Sequence, residues 1–137
     1  MPSIWIRLVS VLFVDTSVWV QFFRGVPLQP LEEALRDGLV VLAPVVAAEL
    51  LSAPLSKVER RSLARFLQDL PLHPTPIEHW LAVGALRAQL LKKGLSVSTP
   101  DAHVAECAID ARAMLWSNDA IFRKLAKACA LRLLEGK

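Results

Sequence analysis

Residues 11–19, VLFVDTSVW, join a short apolar run to a carboxylate and then to two hydroxyl side chains. The run Val11–Val14 is continuous and rich in residues that favour strands, which is typical of a strand buried in a parallel sheet. Asp15 stands directly at its end. The stretch therefore predicts a buried strand, a carboxylate at its carboxyl end, and a helix over 18–24 that begins with the help of the hydroxyls and ends at Gly25.

Strand patterns alternate with helix patterns along the rest of the chain. Further strands are predicted at 39–42, 113–116 and 130–134, with a short edge strand at 71–74; helices are predicted at 31–36, 44–52, 57–70, 77–93, 101–111 and 120–128. This alternation predicts an α/β fold: three layers, α/β/α, around a mainly parallel sheet of four to five short strands.

Two tetrapeptides have the form of a capping box, in which a hydroxyl and a glutamate cap a helix start reciprocally. They are Ser56–Glu59 and Thr75–Glu78. Pro44 suits the first position of the helix at 44–52.

Length and composition predict one domain over 1–137, with residues 1–9 as an N-terminal extension. Hydrophobic residues make up 54% of the chain, which leaves apolar surface for a partner, although a large core could absorb it. The net charge of +3 permits contact with nucleic acid without demonstrating it. Cys107 and Cys129 have neither metal-site nor disulfide spacing and are expected to be free thiols in a reducing cytoplasm. The apolar segment 1–23 carries Arg7 and Asp15, so neither a signal peptide nor a membrane-spanning helix is predicted.

Four acidic residues fall where such a sheet would bring them together. Asp15 ends the first strand, Asp119 follows a late strand, Glu49 lies early in the helix after the second strand, and Asp101 begins another helix. Ligands of open α/β sheets bind beyond the carboxyl ends of the strands, so the four carboxylates could converge at one mouth.

A cluster of like charges requires a cation, and only Arg123 lies near any of the four in sequence. Carboxylate ligands suit Mg²⁺ or Mn²⁺, which can promote phosphodiester hydrolysis. The competing interpretation is that each acid is an ordinary helix cap or lies on a solvated helix face. The cap explains Asp101 fully, whereas Glu49 is a lone acid among apolar residues.

Four segments, VLFVDTSVWVQFFRG, LAPVVAAELLSAP, GLSVSTPDAHVAECA and LWSNDAIFRKLA, resemble the PIN-domain ribonucleases in order and spacing. The resemblance is greatest to the VapC toxins of prokaryotic toxin–antitoxin pairs and extends from about Val11 to Leu133. Matched motif by motif, it implies four catalytic and metal-binding acids: Asp15, Glu49, Asp101 and Asp119. It implies a supporting role for Ser17, and Asn118 beside the fourth acid is a second supporting candidate. The one departure is Ala43, where the family often has a helix-capping hydroxyl.

The resemblance also implies a Rossmann-like fold, Mg²⁺ or Mn²⁺ as cofactor, an RNA substrate, a homodimer and a cognate antitoxin protein. We expect the antitoxin to lie across the helices at 44–52 and 57–70. Arg123, one turn after Asp119, is the basic residue best placed to contact RNA.

Two other functions stay open at this stage: a non-catalytic PIN-like module that binds nucleic acid or protein, and an RNA-processing PIN nuclease outside toxin–antitoxin systems. The full set of acids argues against the first. His73, His79 and His103 are candidate bases, but an ion-activated water needs none, and no motif pairs them with each other or with a cysteine.

Overall fold

A four-stranded parallel sheet forms the centre of the molecule. The computed structural model describes residues 10–135, so the predicted extension at 1–9 lies outside the described residues. The strands are β1 (Leu12–Val14), β2 (Val40–Val41), β3 (Met114–Trp116) and β4 (Arg132–Leu133), in the order β2-β1-β3-β4. Phe13 pairs with Val41 on one side and with Leu115 on the other. The predicted parallel sheet is confirmed, with the 11–19 stretch supplying a central strand.

The helices cover the sheet, as the predicted three-layer α/β/α fold requires. They are α1 (Thr16–Phe23), α2 (Gln29–Arg36), α3 (Pro44–Leu51), α4 (Lys57–Gln68), α5 (Ile77–Lys92), α6 (Thr99–Asp110) and α7 (Ala120–Ala128). α6 packs across β1 and β3 and also contacts α3 and α5, while α2 packs on β2 and α7 on β4. β1 is buried along its whole length because layers cover both of its faces. The predicted edge strand at 71–74 is reduced to a single parallel bridge between Leu72 and Leu42.

One of the two predicted capping boxes forms. The Ser56 hydroxyl accepts a hydrogen bond from the Glu59 backbone N–H, and the Glu59 carboxylate accepts one from the Ser56 N–H. The box predicted at Thr75 is wrong, because Pro76 occupies the N-cap position of α5 with an extended backbone. Thr75 therefore lies one residue too early to cap the helix.

Two helix starts differ from the prediction in a way that moves site residues. α1 begins at Thr16, two residues early, so Asp15 itself is the N-cap residue. α6 begins at Thr99, two residues before the predicted start at 101, with Ser98 as its N-cap, which places Asp101 at the third helical position.

Among residues 10–135, no helix combines the length and the apolar character needed to cross a membrane.

Candidate metal centre

Asp15 extends the β1–β3 pairing one residue beyond the strands. Its backbone N–H donates a hydrogen bond to the carbonyl of Trp116 over 2.9 Å. This bond sets Asp15 beside the turn at 117–119, which carries Asp119. The first and fourth predicted acids therefore meet at the carboxyl edge of the sheet, although they lie about a hundred residues apart in the chain.

The carboxylate of Asp15 does not cap the helix that follows it. Although Asp15 is the N-cap residue of α1, its side chain accepts no hydrogen bond from a backbone N–H of that helix. Instead, Oδ2 accepts a hydrogen bond from the Ser117 hydroxyl over 2.8 Å, and the Ser17 hydroxyl lies 3.4 Å from the same atom. The side chain is buried, with 8% of the residue exposed. The helix-cap interpretation therefore fails at Asp15, whose carboxylate is held in place by hydroxyls.

Asp119 combines a capping role with a place at the same edge. Its Oδ1 accepts a hydrogen bond from the Ile121 N–H over 3.3 Å, at the start of α7. Its own N–H donates to the Ser117 hydroxyl over 3.0 Å. Ser117 therefore links the Asp119 backbone to the Asp15 carboxylate.

Glu49 reaches the site from an exposed turn of α3. The Thr16 hydroxyl donates a hydrogen bond to Oε1 of Glu49 over 2.6 Å, which ties α3 to the residue after Asp15. Pro44 opens the helix at its first position, and Ala43 provides no side-chain cap, as its lack of a hydroxyl predicted. Glu49 thus lies on a solvated helix face, but its carboxylate is held towards the start of α1.

The pKa of the Asp101 carboxyl responds to the charges of the other three acids. Burial raises the pKa of its carboxyl, and the nearby charges of Asp119, Asp15 and Glu49 raise it further, while the Ser98 hydroxyl acts in the opposite direction. This repulsion indicates that the other three carboxylates lie within electrostatic range of Asp101.

No lysine or arginine forms an ion pair with these four carboxylates within the described part of the chain. The donor set consists of oxygen atoms alone, which fits Mg²⁺ or Mn²⁺. Among the same residues, the four do not form a tight group of direct ligands. Mg²⁺ commonly keeps several waters and binds one or two carboxylates directly, so this open arrangement also fits such an ion.

The profile of the PIN domain family matches residues 12–128. The chain belongs to the PIN domain family. This match confirms the resemblance inferred from the four sequence motifs. No curated protein matches the chain by sequence.

Solved structures show the same fold. A chain of VapBC2 from Rickettsia felis, bound to a DNA fragment from its promoter, has a TM-score of 0.74 and 21% identity, and the alignment covers 93% of this chain and 99% of that one. DNA-bound VapBC from Salmonella typhimurium has a TM-score of 0.70 and 20% identity, and the alignment covers 91% of this chain and 97% of that one. VapBC-5 from Mycobacterium tuberculosis, a member of the VapBC family of toxin–antitoxin systems, has a TM-score of 0.66 and 23% identity, and the alignment covers 92% of this chain and 98% of that one.

The predicted supporting residues of this PIN domain differ in their positions. Ser17 touches the site directly, since its hydroxyl lies beside Asp15 and accepts a hydrogen bond from the Asn118 N–H over 3.0 Å. The Asn118 side-chain amide instead donates to Gln21 over 2.8 Å, so it stabilises the turn. Arg123 is exposed and lies in the first turns of α7. Its predicted contact with RNA stays a prediction.

Sequence reasoning missed two hydroxyl residues of the PIN site, Thr16 and Ser117. Thr16 was interpreted only as a helix start, yet its hydroxyl holds Glu49. Ser117 bridges Asp15 and Asp119. A serine two residues before an aspartate suggests a local hydroxyl turn, which was the available signal. No local pattern predicts the contact between Thr16 and Glu49, because it spans 33 residues.

The three histidines lie in the protein interior rather than on an exposed face of the PIN fold. All three are buried, and His103 is fully so. Burial, together with the neighbouring His79 and His73, lowers the pKa of His103 to about 4, so the ring is neutral at physiological pH. Away from the four acids, a cavity of about 440 Å³ lies at the amino ends of the strands. Leu12, Leu39 and Met114 are among the residues that line it.

Proposed function

We propose that this chain is a metal-dependent endoribonuclease, the toxin component of a VapBC-type toxin–antitoxin pair. The proposal rests on hydrogen bonds that hold Asp15 and Asp119 at the carboxyl edge of a PIN-family sheet and tie Glu49 to Thr16, within electrostatic range of Asp101 and with no basic side chain paired to these acids in the described residues. A divalent ion held by these acids would relieve the repulsion among them and could also bind a phosphate of the substrate.

The four acids share one proposed role, which is to hold the ion. They are Asp15, Asp101, Asp119 and Glu49. A bound Mg²⁺ or Mn²⁺ supplies water activation and neutralises charge on the leaving oxygen of the phosphodiester. Ser117 and Ser17 fix the Asp15 carboxylate, and Thr16 orients Glu49. Arg123 would contact the RNA backbone, which predicts weaker binding at higher salt.

The experiment that tests this proposal is cleavage of a pool of single-stranded and structured RNAs by the purified chain, with Mg²⁺, with Mn²⁺ and with EDTA. Asp15→Asn is the test variant, because it keeps the size of the side chain and removes its charge. Asp37→Asn is the matched control, since Asp37 is an exposed acid that ends α2 and lines the cavity at the opposite edge.

We expect ion-dependent cutting by the wild type and by Asp37→Asn, and none by Asp15→Asn, with all three proteins folded by circular dichroism. Equal cutting by Asp15→Asn would contradict the site. Absence of cutting, together with no Mg²⁺ or Mn²⁺ binding by calorimetry, would contradict the enzyme and favour the non-catalytic module.

Exposed aromatic surface at the end of α1 supports the antitoxin partner. Phe23 is 44% exposed, stacks on Trp19 at 5.7 Å between ring centroids, and meets Phe66 of α4 edge-on at 5.4 Å. Val58 at the start of α4 is 71% exposed. The predicted groove along 44–52 and 57–70 is therefore extended by the end of α1. We expect Phe23→Glu to prevent co-purification with the cognate antitoxin and to retain RNA cleavage, whereas Leu91→Glu on α5 should still co-purify.

A further inference from the structure

A second group of ligand-type side chains lies in the interior, at the far end of α6 from Asp101. His73, His79 and Cys107 are buried, and one ligand atom from each lies within 4.8 Å of the other two. Cys107 lies six residues beyond Asp101 on α6, about 9 Å along the helix axis. His73 is in the segment that bridges to β2, and His79 is in the first turn of α5. The group therefore joins three separate parts of the chain.

Two nitrogens in this group have no hydrogen-bond partner although they are shielded from solvent. They are Nε2 of His73 and Nδ1 of His79, and each residue is only 7% exposed. Buried polar atoms are nearly always paired, because burial without a partner is costly. An imidazole nitrogen with a free lone pair is a common metal ligand.

The other nitrogen of His79 has the neighbour expected for a metal-binding histidine. Nε2 of His79 lies 2.7 Å from Nδ1 of His103, and Nε2 of His103 lies 3.8 Å from the sulfur of Cys107. Ligating histidines usually donate the second ring N–H to an acceptor, which fixes the tautomer. If His79 donates to His103, Nδ1 of His79 is free for a metal and His103 can donate to the Cys107 sulfur. In the structure the Val45 N–H donates a hydrogen bond to Nε2 of His103 over 3.4 Å, which requires the opposite tautomer, so metal binding would replace this hydrogen bond with one from His103 to the Cys107 sulfur.

Asp110 is the candidate for a fourth ligand, and it lies outside the group of three mutually close ligand atoms. Its Oδ2, at the end of α6, makes an ion-pair contact of 3.1 Å with Nε2 of His73 that lacks hydrogen-bond geometry. Neighbouring ligands of a tetrahedral zinc ion with bonds of 2.0–2.1 Å are about 3.4 Å apart. The Asp110 side chain is 63% exposed, which gives an ion a route from solvent. The Trp80 ring stacks on His103 at 4.8 Å and covers the other side.

We propose that His73, His79, Cys107 and Asp110 form a structural zinc site that joins the start of α5, and the segment just before it, to the end of α6. Imidazole and thiolate ligands favour Zn²⁺ over Mg²⁺, so this site and the four-carboxylate site would take different ions. The ligand atoms of His73, His79 and Cys107 lie within 4.8 Å of one another and would close to about 3.4 Å around the ion, while the exposed Asp110 side chain would turn towards it. Burial raises the pKa of the Cys107 thiol to about 12, and a coordinated dication displaces that proton.

The test uses Co²⁺ as a spectroscopic probe of the full-length chain after it has been stripped of metal with EDTA and the EDTA removed. We expect one equivalent of Co²⁺ to give tetrahedral d–d bands and a sulfur-to-cobalt charge-transfer band, and Zn²⁺ to displace it. Cys107→Ser should lose the charge-transfer band. Cys129→Ser is the matched control, since Cys129 is the other free thiol and its sulfur donates to the Leu125 carbonyl over 3.1 Å.

Two further variants keep the test decisive if Cys107→Ser does not fold. Asp110→Asn changes an exposed side chain and should weaken Co²⁺ binding at least tenfold without unfolding the protein. Asp15→Asn should leave the cobalt spectrum unchanged, which separates this inference from the proposed nuclease site. No charge-transfer band in the wild type, or a band that persists in folded Cys107→Ser, would overturn the zinc site.

Discussion

At the residue scale, hydroxyl groups rather than cations hold the acids of the PIN site. Ser117 and Ser17 contact Asp15, and Thr16 contacts Glu49. A hydroxyl fixes a carboxylate without neutralising it, so the negative charge stays available for an ion. Local sequence made Asp15, Asp119 and Asp101 candidates because each follows a strand or begins a helix. Glu49 became a candidate because it is a lone acid among apolar residues. Local sequence did not identify Thr16 or Ser117 as supports of these acids, because both make contacts that the tertiary fold creates.

Thr16→Val tests this positioning role. It removes the 2.6 Å hydrogen bond to Glu49 while nearly preserving side-chain volume. We expect metal-dependent RNA cleavage to fall about tenfold or more, as for other residues that orient ligands, with a loss of stability of about 1 kcal/mol. Thr16→Ser keeps the hydroxyl and should cleave at close to the wild-type rate. Full activity of Thr16→Val would show that Glu49 needs no such support.

Asp101→Asn tests the repulsion among the acids. Burial and the charges of Asp119, Asp15 and Glu49 disfavour its carboxylate, so removing the charge should raise the melting temperature in EDTA. Saturating Mn²⁺ should stabilise the wild type more than the variant, because the ion offsets the repulsion only where the charge remains. Thermal unfolding with and without Mn²⁺ measures both effects. A lower melting temperature of the variant in EDTA would contradict the repulsion.

At the element scale, the helix starts show what a sequence pattern can and cannot predict. The interior of each predicted helix was correct, and α7 was predicted to the residue. The two capping boxes look equivalent in sequence, but only Ser56 caps, because Pro76 takes the N-cap position that Thr75 would need. A pattern of residue types leaves open which residue adopts the N-cap backbone, and proline decides it here.

The two boxes form a matched pair for mutation. Ser56→Ala should cost about 1 kcal/mol of unfolding free energy, the usual loss for an N-cap serine, whereas Thr75→Ala should be nearly neutral. Urea unfolding at neutral pH measures both. Equal effects of the two substitutions would contradict the difference in capping.

The same box predicts a pH dependence. Hydrogen bonds from the Ser56 backbone and hydroxyl lower the pKa of Glu59 below its ordinary 4.5. A carboxyl with a lowered folded-state pKa contributes stability above its unfolded value and loses that contribution as the pH falls through the folded one. The stability difference between the wild type and Glu59→Ala should therefore shrink on acidification below about pH 4.5. Melting temperatures compared between pH 7 and pH 3 test this, and a difference that widens towards pH 3 would contradict it.

At the scale of the whole molecule, local patterns predicted that the strands are parallel. They did not predict the order of the strands in the sheet. The hydrophobic run at Val11–Val14 indicates a buried strand, but its place between β2 and β3 depends on long-range packing. The same limit applied to the histidines: His73 and His79 lie far from Cys107 in the chain and meet it only in the folded protein.

An exposed apolar face on α5 supports the predicted homodimer. Leu72, Ile77, Trp80, Leu81 and Leu91 lie on this helix or just before it, and each is at least 41% exposed. Apolar surface of this extent on one helix is characteristic of an interface. We expect Leu81→Glu to give a monomer in sedimentation velocity, whereas Val58→Glu on α4 should remain dimeric. A dimeric Leu81→Glu would contradict an interface on α5.

The measurement that tests the central claim most directly is Mn²⁺ binding by isothermal titration calorimetry. It is made in the Cys107→Ser background, so that the proposed zinc site does not contribute. If the four carboxylates hold the ion, this protein binds Mn²⁺, Asp15→Asn in the same background binds at least about tenfold more weakly, and Asp37→Asn binds as tightly as the parent. Undiminished Mn²⁺ binding by folded Asp15→Asn, or no binding by the folded parent, would contradict the claim.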